Sequence, residues 1–170
     1  LQLVTPTSAV VRWETDSGAD STVEWGSDDT LGSATVGQWW ASASGSSLHE
    51  VELTGLSPGS KAWYRVLSGS MTAGPYDFVT PALPSAEAPV RLIAVSDMQR
   101  DSGNPSVFED IVRDGIIPFT AAELGPDLPS EVSAMIVPGD LVDNGWAYDQ
   151  FADEFFAPAA PFFRHVPVYP

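Results

Sequence analysis

The sequence predicts two domains of different class: an all-β sandwich over residues 1–80 and the first part of an α/β domain over residues 90–170. Three observations carry that reading. Apolar and polar residues alternate with period two through the first half, the mark of strands with one buried face. In the second half, near-continuous apolar runs of strand length alternate with helix-patterned segments, as in a parallel sheet covered on both faces. Between them, residues 81–89 read Pro-Ala-Leu-Pro-Ser-Ala-Glu-Ala-Pro, a semi-rigid linker polar enough to separate domains.

The elements follow in order. Over residues 9–15, Ala9, Val11 and Trp13 share one face while Arg12 and Glu14 take the other. Residues 22–25 behave alike and meet a turn at Gly26-Ser27-Asp28-Asp29; residues 48–53, 63–67 and 76–80 are further strands. The breaks are rich in Gly, Ser, Asp and Pro, as short hairpin and Greek-key connections require. His49 alternates outward with Glu-bearing positions and reads as a surface or packing residue. Trp39 and Trp40 lie in a Ser/Gly-rich stretch and read as the tail of a strand, the alternative being an exposed aromatic platform.

Past the linker, residues 90–95 form the first buried strand, which stops at Ser96-Asp97. A helix opens at Asn104-Pro105 and carries Val107, Phe108, Ile111 and Val112 on one face. Residues 134–137 form a second buried strand, halted at Pro138-Gly139-Asp140. Another amphipathic helix begins near Trp146, with Phe151, Phe155 and Phe156 together, and residues 166–169 start a third strand. His165 precedes that strand at the end far from Asp97 and Asp140, where its role is structural.

Composition bounds the function. With 44% hydrophobic and 18% charged residues the chain can bury a core, and 14 Gly with 15 Pro favour a turn-rich β module over a helix bundle. Seven Lys and Arg against 23 Asp and Glu leave a net charge of −16, which repels phosphate backbones and anionic lipid. Nucleic-acid and membrane-surface partners are therefore not expected. No apolar run in these residues approaches the roughly 18–20 residues of a membrane span. The absence of cysteine excludes disulfides, thiolate-zinc sites and a cysteine nucleophile, and two remote histidines offer no Ser-His-Asp triad.

Chemistry is expected at one edge. In parallel α/β sheets, ligands sit outside the carboxyl ends of the strands. Asp97 directly follows the first strand and Asp140 the second. A lone Asp there is commonly a turn former or helix cap. Two carboxylates converging on one edge are costly unless protonated or bridged by a cation. Hard oxygen donors without cysteine point to a magnesium-, manganese-, iron- or zinc-like ion.

Two local patterns resemble known families. Leu53-Thr54-Gly55-Leu56-Ser57-Pro58-Gly59 followed by Trp63-Tyr64-Arg65-Val66 resembles the corner between the fifth and sixth strands of a fibronectin type III-like domain, and Trp13 matches that family's buried tryptophan. The match departs at Ala62, where the family places the aromatic of its tyrosine corner. Ser96-Asp97-Met98-Gln99 and Gly139-Asp140-Leu141-Val142-Asp143-Asn144-Gly145 resemble the first two motifs of the calcineurin-like metallophosphoesterases, Asp-x-His and Gly-Asp-x-x-Asp. With the β domain and linker, the whole resembles a purple acid phosphatase architecture.

The resemblance implies that Asp97 ligates one metal and that Asp140 bridges two and is catalytic, the motif glycine letting the backbone approach this Asp closely. Gln99 stands where the pattern has histidine, so an amide oxygen, a neutral and weaker donor, replaces an imidazole. Asp143 stands where purple acid phosphatases carry a tyrosine ligand, so the chromophore is expected to be missing. Asp143, Asn144 and Trp146 then stand behind the ligands or line the cleft. The implied function is a metal-dependent hydrolase of phosphate esters, with two divalent or trivalent ions (Fe, Zn or Mn) activating a bridging hydroxide. The family's third motif, Gly-Asn-His-Asp/Glu, is expected after the strand at 166–169, so the chain reads as an N-terminal piece of a longer protein. Activity then belongs to the parent, and the piece alone is expected to be incompetent. Secretion or periplasmic export, and self-association through the exposed truncated sheet, follow from the same resemblance. The alternative is a non-catalytic extracellular binding or adhesion module with a degenerate phosphoesterase domain. A two-carboxylate glycosidase ranks last, since it gives no reason for the Gly-Asp-x-x-Asp loop.

Overall fold

The computed structural model describes residues 1–18 and 20–170. The chain divides into two compact units, Leu1–Pro89 and Val90–Pro170. It is mostly β, with two antiparallel sheets, one parallel sheet and a few short helices among the described residues.

In the first unit the strands are β1 (Ser8–Thr15), β2 (Thr22–Gly26), β3 (Ser33–Val36), β4 (Gln38–Ala41), β5 (Ser47–Thr54), β6 (Lys61–Ser68) and β7 (Met71–Val79). They form antiparallel sheets ordered β1-β5-β4 and β3-β2-β6-β7. The alternation does what period two requires: Ala9, Val11, Val51 and Leu53 from one sheet pack with Val23, Tyr64, Val66 and Phe78 from the other. Burying side chains the size of Leu53 and Phe78 contributes roughly 1.5–3 kcal/mol each.

Strand β3 was not expected from the pattern, and β4 was expected only as a strand tail at Trp39 and Trp40. β4 is exposed throughout and β3 nearly so, so no apolar face announces them. Gly37 makes the crossing between the two sheets possible, because a Cβ there would run into the Glu50 backbone oxygen. Trp39 and Trp40 form the middle of β4, 44% and 40% exposed. His49 points inward, contrary to the outward expectation. It is fully buried opposite Trp13, whose indole stacks on the imidazole at 4.8 Å. The strand register decides this, since Ser47, His49, Val51 and Leu53 share the buried face. Ser21 Oγ donates to the Gln38 carbonyl (2.9 Å), so it accepts from His49 Nδ1–H (2.8 Å), leaving Nε2 to accept from Thr15 Oγ1 (2.8 Å). Burial holds the His49 pKa below its ordinary value, partly offset by the Asp20 charge.

The departure at Ala62 has a structural answer. Ala62 is buried, and the adjacent corner is tied by buried Thr80, whose hydroxyl donates to the Ser57 carbonyl at 2.6 Å and accepts from the Ser60 N–H at 3.1 Å.

The second unit contains β8 (Leu92–Ala94), β9 (Ala134–Ile136) and β10 (Val168–Tyr169), parallel and ordered β10-β9-β8. One helical run comprises α1 (Val107–Asp110), a π-helical stretch (Ile111–Ile116) and α2 (Ile117–Glu123); α3 is Leu128–Glu131. A second run joins α4 (Tyr148–Gln150) to a π-helical stretch (Phe151–Phe156), followed by α5 (Ala160–Phe163). Phe108, Val112, Met135, Val137, Phe155, Phe162 and Val166 are the centre of the core.

Three expectations need correction here. β8 is not covered on both faces: Leu92 is 54% exposed and Ala94 also faces outward, while Ile93 packs on the core. A run of apolar residues records strand character, and within this unit one face of the sheet has no layer against it. Ile111 and Phe156 were placed on buried helix faces and are instead 46% and 48% exposed, each at an end of a π-helical stretch. A π turn takes up extra residues, so the spacing that defines an α-helical face no longer applies.

Candidate metal centre

Parallel pairing carries the two acidic loops out of the same sheet edge. Beyond the strands, the Val95 N–H donates to the Ile136 carbonyl (3.1 Å) and the Met98 N–H donates to the Asp140 carbonyl (3.0 Å). The loop bearing Asp97 is thus bonded directly to the loop bearing Asp140. Both acids are exposed, and both have left-handed backbone, φ +60° at Asp97 and φ +52° at Asp140. That conformation costs a non-glycine residue roughly 1–2 kcal/mol, and Asp tolerates it better than most. Paired strain at matching positions of adjacent loops is the kind of local cost that collects at functional sites. Gly139 has φ +145° with open space where a Cβ would stand, so the backbone conformation calls for glycine there.

Around this pair, the Ser96 hydroxyl donates to Asp97 Oδ2 at 2.5 Å. Gln99 Oε1 is buried and accepts no hydrogen bond, so the amide fits the role of an oxygen donor to a cation. Asp143 is exposed and its N–H is held by Glu154; the Asn144 N–H donates to Gln150 Oε1 at 2.6 Å. Trp146 is 89% exposed. His165 lies ahead of β10, at the opposite edge from both acids, its N–H bonded to the Phe162 carbonyl.

One residue was missed. Glu154 is 7% exposed, and its Oε2 accepts the Arg100 N–H at 3.1 Å and the Asp143 N–H at 3.0 Å. Its only signal in the sequence is an acid directly before Phe155 and Phe156. A groove of about 230 Å³ opens beside it, lined by Met98, Arg100, Phe108, Glu109 and Asp153 among others.

The donor set fits part of a cation site. Asp97, Asp140 and Gln99 supply hard oxygen donors, but among the described residues no cluster of three or more His, Cys, Asp or Glu could hold a metal. The expected pair of ions is therefore not matched by donors from these residues. Elsewhere, acids engage Arg12 (Glu50), Lys61 (Asp77), Arg65 (Glu24), Arg91 (Glu131) and Arg113 (Glu109). Among the described residues no helix is long and apolar enough to cross a membrane.

The fold is similar to that of PhoD, with a TM-score of 0.55 and 15% sequence identity over 82% of this chain. The chain spans about a quarter (26%) of the PhoD structure's length. A weaker likeness, TM-score 0.39 at 16% identity, covers 52% of this chain and 89% of the sensor domain of the anti-sigma factor RsgI4 in Pseudobacteroides cellulosolvens. No family model and no curated protein matches the sequence.

Proposed function

We propose that this chain provides the first metal-holding loops of a metal-dependent phosphoesterase, whose remaining donors are supplied by a longer parent chain. The observation that carries the reading is the tie between two strained acidic loops, Met98 N–H to Asp140 carbonyl, at the carboxyl edge of a parallel sheet. The likeness in fold to PhoD supports it, and the 26% coverage of that chain agrees with donors lying elsewhere. Asp97, Asp140 and Gln99 would hold the ion or ions, and Asp143 and Asn144 would keep the second loop in place. A bound metal centre supplies charge to neutralise a phosphate ester and acidity to activate water. The residues themselves bring two carboxylate-bearing loops to one sheet edge, tied by the Met98 N–H to the Asp140 carbonyl.

Finer assignments belong to the same proposal. The three-plus-four antiparallel arrangement of the first unit supports a fibronectin type III-like domain. The second unit is read as the beginning of a calcineurin-like, purple acid phosphatase-type domain. Its exposed face at Leu92 and Ile136 suits the rest of the parent, or a second copy, as cover. Export to the periplasm or the exterior, and a substrate that is a small phosphate ester in place of a nucleic acid, follow from the resemblance and from the charge of −16. The second reading, a non-catalytic binding module, is favoured by Gln99 and by the lack of a three-acid cluster among the described residues.

The test uses the intact parent protein with an Asp140→Asn variant beside it. Metal content, Mn²⁺ and Zn²⁺ affinity, and hydrolysis of aryl phosphate mono- and diesters are measured on the same samples. Metal binding with turnover, both lost in the variant, supports the phosphoesterase. An intact protein that binds no metal and hydrolyses neither ester overturns it in favour of the binding module.

A further inference from the structure

We propose that Glu154 is a positioning residue that clasps the two acidic loops together. Its carboxylate is buried and reaches both loops through one oxygen, by the Arg100 N–H at 3.1 Å and the Asp143 N–H at 3.0 Å. Arg100 lies three residues past Asp97, and Asp143 three past Asp140. The clasp therefore grips equivalent points on the two loops, beyond the place where the Met98–Asp140 bond already joins them.

The local fold explains how an acid comes to be there. Glu154 and Phe155 are consecutive and both buried. They fall in the π-helical stretch Phe151–Phe156, whose widened turn lets Phe155 enter the core while Glu154 turns to the loops. A buried carboxylate persists where charge-assisted hydrogen bonds compensate for lost water, and two backbone N–H donors do so here.

The clasp goes beyond the proposed function, and its link to metal binding rests on that reading. Removal of groups that orient metal ligands typically costs 10–100-fold in affinity. The experiment compares Glu154→Ala and Glu154→Gln with Phe162→Leu, a core variant on α5 of the same unit. Amide exchange at Arg100 and Asp143 is followed in the intact protein with EDTA, and Mn²⁺ affinity is titrated without it. Glu154→Ala is expected to lose protection at both amides together and at least tenfold in Mn²⁺ affinity. Glu154→Gln, which keeps an acceptor oxygen, is expected to restore most of both. Phe162→Leu should lower global stability yet leave the ratio of loop to global protection unchanged. The proposal is overturned if Arg100 and Asp143 stay protected in Glu154→Ala, or if Phe162→Leu reproduces the same loop-specific loss. If the unaltered protein binds no Mn²⁺, the phosphoesterase reading fails, while the exchange data still decide the clasp.

Discussion

Substitutions at Asp140 should separate fold from function through their effect on backbone strain. Asp140 is exposed and sits at φ +52°, and its structural tie to Met98 runs through its backbone carbonyl, which every substitution keeps. At an ordinary exposed position, replacing Ala by Gly costs about 0.5–1 kcal/mol through the freedom of the unfolded chain. In the left-handed region, Ala carries a penalty of roughly 1–2 kcal/mol that Gly escapes. The two terms oppose each other, and the steric one is larger. Asp140→Gly is thus expected to be more stable than Asp140→Ala by about 0.5–1 kcal/mol, the reverse of the usual order. Asp140→Val, branched at Cβ, should be worse than Ala. The assay is urea unfolding of the intact protein in EDTA, following the transition of the second unit. Metal affinity should fall in all three variants, since none retains a carboxylate. An Ala variant as stable as Gly or more so would refute the left-handed strain. The idea that this loop sacrifices stability to hold a carboxylate would go with it.

Two further outcomes follow from the first unit and the helical run. Because burial lowers the folded-state pKa of His49 below its ordinary 6.5, the unfolded chain binds the proton more readily. Its contribution to stability should be complete above about pH 6.5 and be lost as pH falls through and below that value; a native His49 titrating by NMR at or above 6.5 would contradict this. Gly37→Ala and Gly115→Ala should have opposite signs. The first forces β4 away from the Glu50 carbonyl and should destabilise by about 2–3 kcal/mol, whereas the second, with open space around it in a helical turn, should stabilise by about 0.5–1 kcal/mol. Equal thermal shifts for the two alanines would show that close backbone approach does not govern position 37.

Sequence periodicity by itself located β1, β2, β5 and β6, because each buries alternate residues and so writes its fold into the order of its side chains. It also put Asp97 and Asp140 after neighbouring apolar strands, which in a parallel sheet means one edge. Strand β3 was not legible, and β4 showed only as a strand tail at Trp39 and Trp40, since both bury almost nothing and are held by backbone pairing that any residue can make. The facing of His49 was misread because alternation gives two faces without saying which is inside; the pairing with Trp13 settles it. The exposure of Leu92 depends on which layers cover the sheet, and that is not a property of the strand. Only tertiary structure could show the left-handed backbone at both acids, the Met98–Asp140 bond and the grip of Glu154. These are contacts between segments about 40 residues apart or produced by a π turn, and their causes lie in packing, where a linear pattern has no periodic signal to offer.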